Sequence, residues 1–238
     1  MTQMILFPPE AAWSPPTSFP DLTGQKEIAI DLETCDPWLL SHGPGWAFKD
    51  RGYIIGIAVA TEGWRGYFPV AHTTGANLDK DVVRRWLQKQ LDAPNAKIFH
   101  NAQYDVGWLK AEGYTINGEI HDTMMAAPLL NENEYSYSLN SLGKTYLNEE
   151  KDESMLTEAA DVFGVNPKSE MYKLAPKYVG QYAEQDADLT YRLWQILKQG
   201  IKEESVTDIY NLEKALLPVL IQMRMKGVRI DIDKAQKV

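Results

Sequence analysis

Apolar residues come in short blocks over the first half of the chain and in helical stripes over the second. Residues 27–32, Glu-Ile-Ala-Ile-Asp-Leu, predict a first strand. Residues 54–60 predict a second and 65–70 a third, with Thr61-Glu62-Gly63 between them as a hairpin-like turn. Val82, Val83, Trp86 and Leu87 recur at the helical period, which predicts a helix over 78–91. A short strand over 97–100 follows. Asn101 is placed to cap the next helix, which carries Val106 and Leu109 on one face and stops before Gly113. Residues 115–121 read as an edge-like strand, 122–130 as a helix and 138–146 as another. Pro176 suits a first helical turn. The helix over 177–199 has a stripe of Val179, Ala183, Leu189, Leu193, Ile196 and Leu197. A last helix over 203–226 ends at Gly227. Strands first and helices later, with one hairpin, predict an α/β domain with a mixed sheet.

Two stretches fall outside this pattern. The first 22 residues hold five prolines and little periodicity, and read as an extended arm that is ordered only where it docks. Residues 36–53 are broken by Pro37, Gly43-Pro44-Gly45 and Gly52, yet carry Trp38, Leu39, Leu40, Trp46 and Phe48. So apolar a loop packs on the protein's own surface or over a bound substrate.

Composition narrows the class. The 238 residues are 44% hydrophobic and 24% charged, as in ordinary globular proteins. No apolar run reaches the roughly 20 residues of a membrane helix, and the N-terminus lacks the layout of a signal peptide. Cys35 is the one cysteine, so no intrachain disulfide forms and a reducing compartment fits. A net charge of −9 argues against non-specific duplex binding through a basic surface. It leaves open a nucleic-acid enzyme whose acids gather metal ions, because the ions then supply the positive charge.

The candidate chemistry begins at the end of the first strand. Asp31 and Glu33 are two apart, so a strand aims both carboxylates at one spot. Like charges that close repel, and a divalent cation between them would turn repulsion into coordination. A solvated acidic strand end is the alternative. Asp105 falls in the first turn of its helix, where the helix dipole alone favours an acid. Tyr182 and Asp186 are four apart on one helical face, where they form either a simple hydrogen bond or part of a site. His100 and His121 stand near strand ends and read as structural.

Together, Asp31, Glu33, Asp105 and Asp186, with Tyr182 one turn before the last acid, resemble the DEDD superfamily of exonucleases in its tyrosine subclass. The motifs Asp31-Leu32-Glu33-Thr34, Asn101-Ala102-Gln103-Tyr104-Asp105 and Tyr182-Ala183-Glu184-Gln185-Asp186 stand in the superfamily's order. The run from Tyr67 to His72, the run from Asn101 to Leu109, His121-Asp122-Thr123-Met124 and the run from Gln181 to Leu193 are similar to the proofreading domain of family A DNA polymerases, the class of bacterial DNA polymerase I. From Leu212-Glu213-Lys214 to Ile230-Asp231 the chain is similar to the opening of that family's polymerase domain. The loop over 36–53 is longer than in the bacterial domain and closer to phage versions.

The resemblance implies an RNase H-like (DnaQ-like) fold, a mixed five-stranded sheet flanked by helices. It implies an arm over 1–25, an exonuclease domain over 26–202 and a truncated start of a polymerase domain over 203–238, as in a fragment of a larger phage polymerase. The implied reaction is hydrolysis of the terminal phosphodiester at a DNA 3′ end, with release of nucleoside 5′-monophosphates. The implied catalytic residues are Asp31, Glu33, Asp105, Tyr182 and Asp186. The four acids hold two divalent ions, Mg²⁺ or Mn²⁺, and Leu32, Thr34, Pro37 and Asn101 contact the substrate. Trp38 is a candidate for stacking on the last bases. The implied partners are single-stranded DNA or a frayed primer end and the polymerase domain, with no membrane, in the cytoplasm of a bacterial cell or phage-infected host. Two rivals share these residues: an RNA-trimming exonuclease of the same superfamily, and a non-catalytic domain that binds single-stranded DNA.

Overall fold

A computed structural model of the protein describes residues 8–48 and 51–236. The start of the expected arm, two residues of the apolar loop and the last two residues lie outside the described residues.

Five strands form the sheet: β1 (Glu27–Cys35), β2 (Tyr53–Thr61), β3 (Trp64–Pro69), β4 (Ala96–Phe99) and β5 (Ile120–Asp122). Their spatial order is β3-β2-β1-β4-β5. The β1–β2 and β2–β3 pairs are antiparallel, and β1–β4 and β4–β5 are parallel. The sheet is therefore mixed, as the hairpin requires, and the fold is RNase H-like α/β. The edge strand expected over 115–121 is reduced to Ile120–Asp122, because Asn117 and Gly118 are held in a turn against Leu91 and Asn95.

The described residues form nine helices: α1 (Leu39–His42), α2 (Lys80–Asp92), α3 (Ala102–Ala111), α4 (Thr123–Leu130), α5 (Leu139–Leu142), α6 (Ser154–Phe163), α7 (Pro176–Glu203), α8 (Thr207–Lys226) and α9 (Ile232–Ala235). The helix expected over 138–146 is split, α5 passing into a wider turn over Gly143–Leu147. Of the stripe expected on α7, Val179, Ala183, Leu189, Leu193 and Leu197 are buried, while Ile196 is rotated outward and exposed.

Alternation along β1 sorts the core into two layers. Ile28, Ile30 and Leu32 pack with α2 and α3 through Val83, Leu87, Val106 and Leu109. Ala29 and Cys35 face the other way, with Ala58 and Ala60 of β2, against Ala183, Leu189 and Leu193 of α7. Small alanines on this face let α7 lie close to the sheet. Burying each of these large aliphatic side chains contributes about 1.5–3 kcal/mol.

The register of β1 on β2 shifts between Glu33 and Thr34, next to the pair Glu33–Gly56. Gly56 is required there, since a Cβ would stand 2.0 Å from the Tyr67 hydroxyl. The arm is docked over its described part. The Phe19 ring packs on Phe68 at 5.5 Å, Trp86 Nε1 donates to Pro20 O at 2.7 Å, and Trp13 Nε1 donates to Glu184 Oε1 at 3.0 Å.

Candidate active site

The site lies where β1 leaves the sheet. Pairing of β1 with β4 ends at Ala29–Ile98, so beyond Ala29 that edge of β1 has no strand partner. The chain leaves β4 at Phe99 and turns into α3, which carries Asp105 back to the edge. Asp105 Oδ1 accepts the Leu32 N–H at 3.1 Å. Asp105 is thus a substitute for a missing strand as well as an acid beside Asp31.

Tyr182 and Asp186 come from the other side. They lie on α7, over the face of β1 that carries Asp31 and Glu33. The convergence is therefore not confined to one face: α7 supplies two residues over the Asp31 face, and α3 supplies the third around the strand edge from the Leu32 side.

Electrostatics tie the acids together. Burial raises the Asp31 carboxyl to about 7, and the Asp186 charge adds to the shift. Glu33 is raised well above its ordinary range by burial, then by Asp31 and Asp186. Asp105 is raised by burial and by Asp31. Burial also raises Asp186, against the pull of the Lys151 ammonium. The Tyr182 phenol is pushed well above its ordinary value by burial and by the negative charges of Asp186, Glu33 and Asp31.

Two lysines absent from the expected site stand inside it. Lys151 Nζ donates to Asp186 Oδ2 at 2.5 Å and to Tyr182 Oη at 3.0 Å. Lys168 Nζ donates to Tyr182 Oη at 3.2 Å and pairs with Glu153 Oε1 at 2.6 Å. Both ammoniums also lie over the Tyr182 ring, 4.4 and 4.5 Å from its centre. Lys168 reaches on into a cleft of about 360 Å³ lined by Thr34, Pro37, Leu39, Leu40 and Tyr104.

Among the described residues, no three acid, histidine or cysteine side chains stand as a ready-made metal cage. The chemistry of the donor set still fits a hard divalent cation. Its oxygens are carboxylates only, each made costly by burial, and Asp186 Oδ1 is buried with no hydrogen-bond partner. A cation already sits on the other Asp186 oxygen, in the form of Lys151.

The expected substrate residues divide. Leu32 is 5% exposed and its side chain is core, so it offers a ligand only backbone. Thr34 is half-buried and its hydroxyl shares a 2.7 Å hydrogen bond with that of Tyr104. Tyr104 in turn donates to Asp36 Oδ2 at 3.1 Å. Pro37 is exposed at the cleft. Asn101 does not cap α3 with its side chain, contrary to expectation. It takes a left-handed φ of 68°, and Asp122 of β5 caps instead, accepting Asn101 N at 2.9 Å and Ala102 N at 2.8 Å. Asn101 itself is exposed. His100 and His121 are held by Thr123 and Tyr210, at 2.8 and 3.0 Å.

Trp46, from the apolar loop, is buried against α3, where Gly107 makes room for its ring. Trp38 and Leu40 of the same loop are exposed.

Comparison with known proteins adds to the geometry. The family described as 3'-5' exonuclease matches residues 19–202. A DNA-directed DNA polymerase of Pseudomonas phage M6 is 36% identical over 231 residues, covering 93% of this chain and 34% of the relative. The chain thus spans about a third of the length of this and the related phage polymerases. Among solved structures, the POL domain of Pol1 from M. smegmatis in complex with DNA primer-template and dNTP aligns with a TM-score of 0.64 at 18% identity, over 90% of this chain and 31% of that one. Escherichia coli RNase D, an exoribonuclease, aligns with a TM-score of 0.59 at 17% identity, over 91% and 51% of the two chains. At such identities the two structures share the fold with this chain.

Proposed function

This chain belongs to the 3'-5' exonuclease family of family A DNA polymerases, and from that premise we propose that it removes nucleoside 5′-monophosphates from the 3′ end of DNA as the proofreading part of a polymerase. The observation that carries the reading is the gathering of Asp31, Glu33, Asp105 and Asp186 at the end of β1, each carboxyl raised first by burial, around a buried, unpartnered Asp186 oxygen. Four crowded carboxylates of this kind are held at a cost that a cation-dependent reaction explains.

Asp31, Glu33 and Asp186 would hold one divalent ion, and Asp31 with Asp105 would hold a second. Mg²⁺ and Mn²⁺ suit all-oxygen ligands. When bound, such ions ease deprotonation of water and offset the charge that develops on the phosphodiester.

The chain's own residues do the rest. Glu33 and the Tyr182 hydroxyl orient the attacking water in line with the scissile P–O3′ bond. Tyr182 stays protonated, because burial and then the charges of Asp186, Glu33 and Asp31 oppose the phenolate, so it orients and does not abstract. Cleavage of P–O3′ leaves the phosphate on the departing nucleotide and returns a 3′ hydroxyl to the strand. Pro37, Trp38 and Thr34 line the path of the last bases, and stacking there tolerates any base, as removal of arbitrary mismatches requires. A mismatched terminus also costs less to unpair.

The test uses 5′-labelled single-stranded DNA. It shortens stepwise from the 3′ end when Mg²⁺ or Mn²⁺ is added, and Asp31→Ala with Asp186→Ala abolishes the ladder. Absence of metal-dependent shortening in the unmutated chain overturns the reading. A matched RNA strand in parallel separates the DNA reading from the RNA-trimming one.

A further inference from the structure

The loop that carries Lys151 is fixed on α7 independently of the lysine's own side chain. Lys151 N donates to Asn140 Oδ1 at 2.9 Å. Gln185, next to Asp186 in sequence, brackets the loop: its Nε2 donates to Glu150 O at 3.2 Å and its Oε1 accepts Asp152 N at 2.7 Å. The backbone is pinned, and the four-carbon stem alone carries the ammonium to Asp186.

There the ammonium meets two partners at once. It pairs with Asp186 Oδ2 and donates to Tyr182 Oη, with side-chain exposures of 10% for Lys151 and 7% for Asp186. Lys168 fills a second position on the same hydroxyl. A phenol oxygen has two lone pairs, so in this arrangement Tyr182 has none left to accept a hydrogen bond from water. Asp186 has one oxygen occupied by a positive charge. A divalent ion cannot approach that oxygen while the ammonium is there, since two cations so close repel strongly in a buried site.

Resting on the metal-dependent reading above, we propose that Lys151 is a built-in occupant of the cation site. It closes over Asp186 and Tyr182 when the acids are without metal, and it yields Asp186 to an arriving divalent ion. Glu153, whose Oε1 already pairs with Lys168 at 2.6 Å and lies 4.0 Å from Lys151 Nζ, is a carboxylate the two ammoniums can share once Lys151 leaves Asp186. The closed arrangement neutralises buried carboxylate charge and holds Tyr182 and Asp186 one above the other. The open arrangement restores both a carboxylate oxygen and a tyrosine lone pair. Lys168 differs, because it is half-exposed, engaged by Glu153 and makes no hydrogen bond to Asp186 among the described contacts. Lys151 is thus a positioning residue, whose removal alters metal affinity before it alters chemistry.

If the closed arrangement holds roughly nine-tenths of the molecules, apparent metal affinity is weakened about tenfold. Mn²⁺ binding, read from the paramagnetic resonance of the free ion, is compared for the unmutated chain, Lys151→Met and Lys168→Met. Lys151→Met binds Mn²⁺ about tenfold tighter, while Lys168→Met stays near the unmutated chain. The unmutated protein supplies a second readout that needs no variant. Acetylation of Lys151, followed by peptide mass spectrometry, accelerates when saturating Mg²⁺ is added, relative to the exposed Lys144. A Lys151→Met chain that is folded and binds no tighter, or Lys151 acetylation indifferent to Mg²⁺, overturns the proposal and leaves the exonuclease reading standing. Failure of all three chains to bind Mn²⁺ overturns that reading, and this proposal with it.

Discussion

Asp105 Oδ1 accepts the backbone N–H of Leu32 at 3.1 Å, where the parallel pairing of β1 has run out. One carboxylate therefore finishes a strand edge and stands beside Asp31. The two roles separate by substitution. Asp105→Asn keeps an acceptor for Leu32 and relieves repulsion with Asp31. Asp105→Ala leaves a buried N–H unpaired, which costs about 1–3 kcal/mol. Chemical denaturation without metal is expected to rank the asparagine variant above the alanine variant by that amount, while both lose nuclease activity.

The Asp31 carboxyl titrates at about 7 in the fold against an ordinary 3.8. Between those values the native state holds a proton that the unfolded chain has released. Its contribution to stability is therefore full below about pH 4 and is lost as pH rises towards 7. Glu33, Asp105 and Asp186 shift in the same direction. In EDTA, the melting temperature is expected to fall from pH 5 to pH 7.5 more steeply than in saturating Mg²⁺, which favours the ionised acids. A metal-free profile of the unmutated chain that is flat or rising, or a slope that Asp31→Asn leaves unchanged, contradicts the assignment.

Much of this site was legible in the chain because periodicity exposes it. Strand alternation put Asp31 and Glu33 on one face, and helical spacing put Tyr182 over Asp186, and both relations hold in the fold. Lys151 and Lys168 were not legible. They lie in irregular segments on either side of α6; the loop of Lys151 is held by Gln185 and Asn140, and Lys168 is steered to Tyr182 beside Glu153, contacts between residues that no periodic pattern links. Asn101 was misread for a related reason. Local sequence makes it a natural helix cap, but Asp122, twenty-one residues on, wins because β5 delivers its carboxylate to the N–H groups of both Asn101 and Ala102.

Lys97 is fully buried, with its ammonium donating to the carbonyls of Ala93, Asn95 and Asn117 and to Asn95 Oδ1. It ties the turn before β4 to the turn before β5. Burial lowers its pKa from 10.5 to about 8. Lys97→Met strands these buried acceptors, each at about 1–3 kcal/mol. The variant is expected to melt well below the unmutated chain while Mn²⁺ affinity of the folded fraction is unchanged, which differential scanning calorimetry and metal titration together check.

Gly180 sits in the second turn of α7 because Trp13 of the arm occupies the space a side chain would need. A Cβ there would lie 2.1 Å from the indole. Glu184, one turn on, accepts from Trp13 Nε1 and from Tyr67 N, so the arm is tied to the helix that carries Tyr182 and Asp186. Gly180→Ala is expected to expel the arm although alanine favours helix, with an overpacking cost of about 1–3 kcal/mol. Limited proteolysis then cuts within the arm in the variant and not in the parent. Equal resistance of the two chains contradicts the packing.

Tyr182 offers the sharpest separation of orientation from acid–base chemistry. Its phenol is held well above the ordinary 10, with burial first and the charges of Asp186, Glu33 and Asp31 behind it. At neutral pH it has no tyrosinate to contribute, so removal of its hydroxyl withdraws an orienting contact and leaves the proton balance of the site to the carboxylates. Tyr182→Phe keeps the ring on which both lysines rest, so folding is preserved. Misplacing the attacking water costs about a hundredfold in rate. The pH profile of the residual rate keeps the shape seen in the parent, because the groups that titrate are unchanged. A profile that loses its basic limb in Tyr182→Phe would assign the proton transfer to the tyrosine and refute the orienting role.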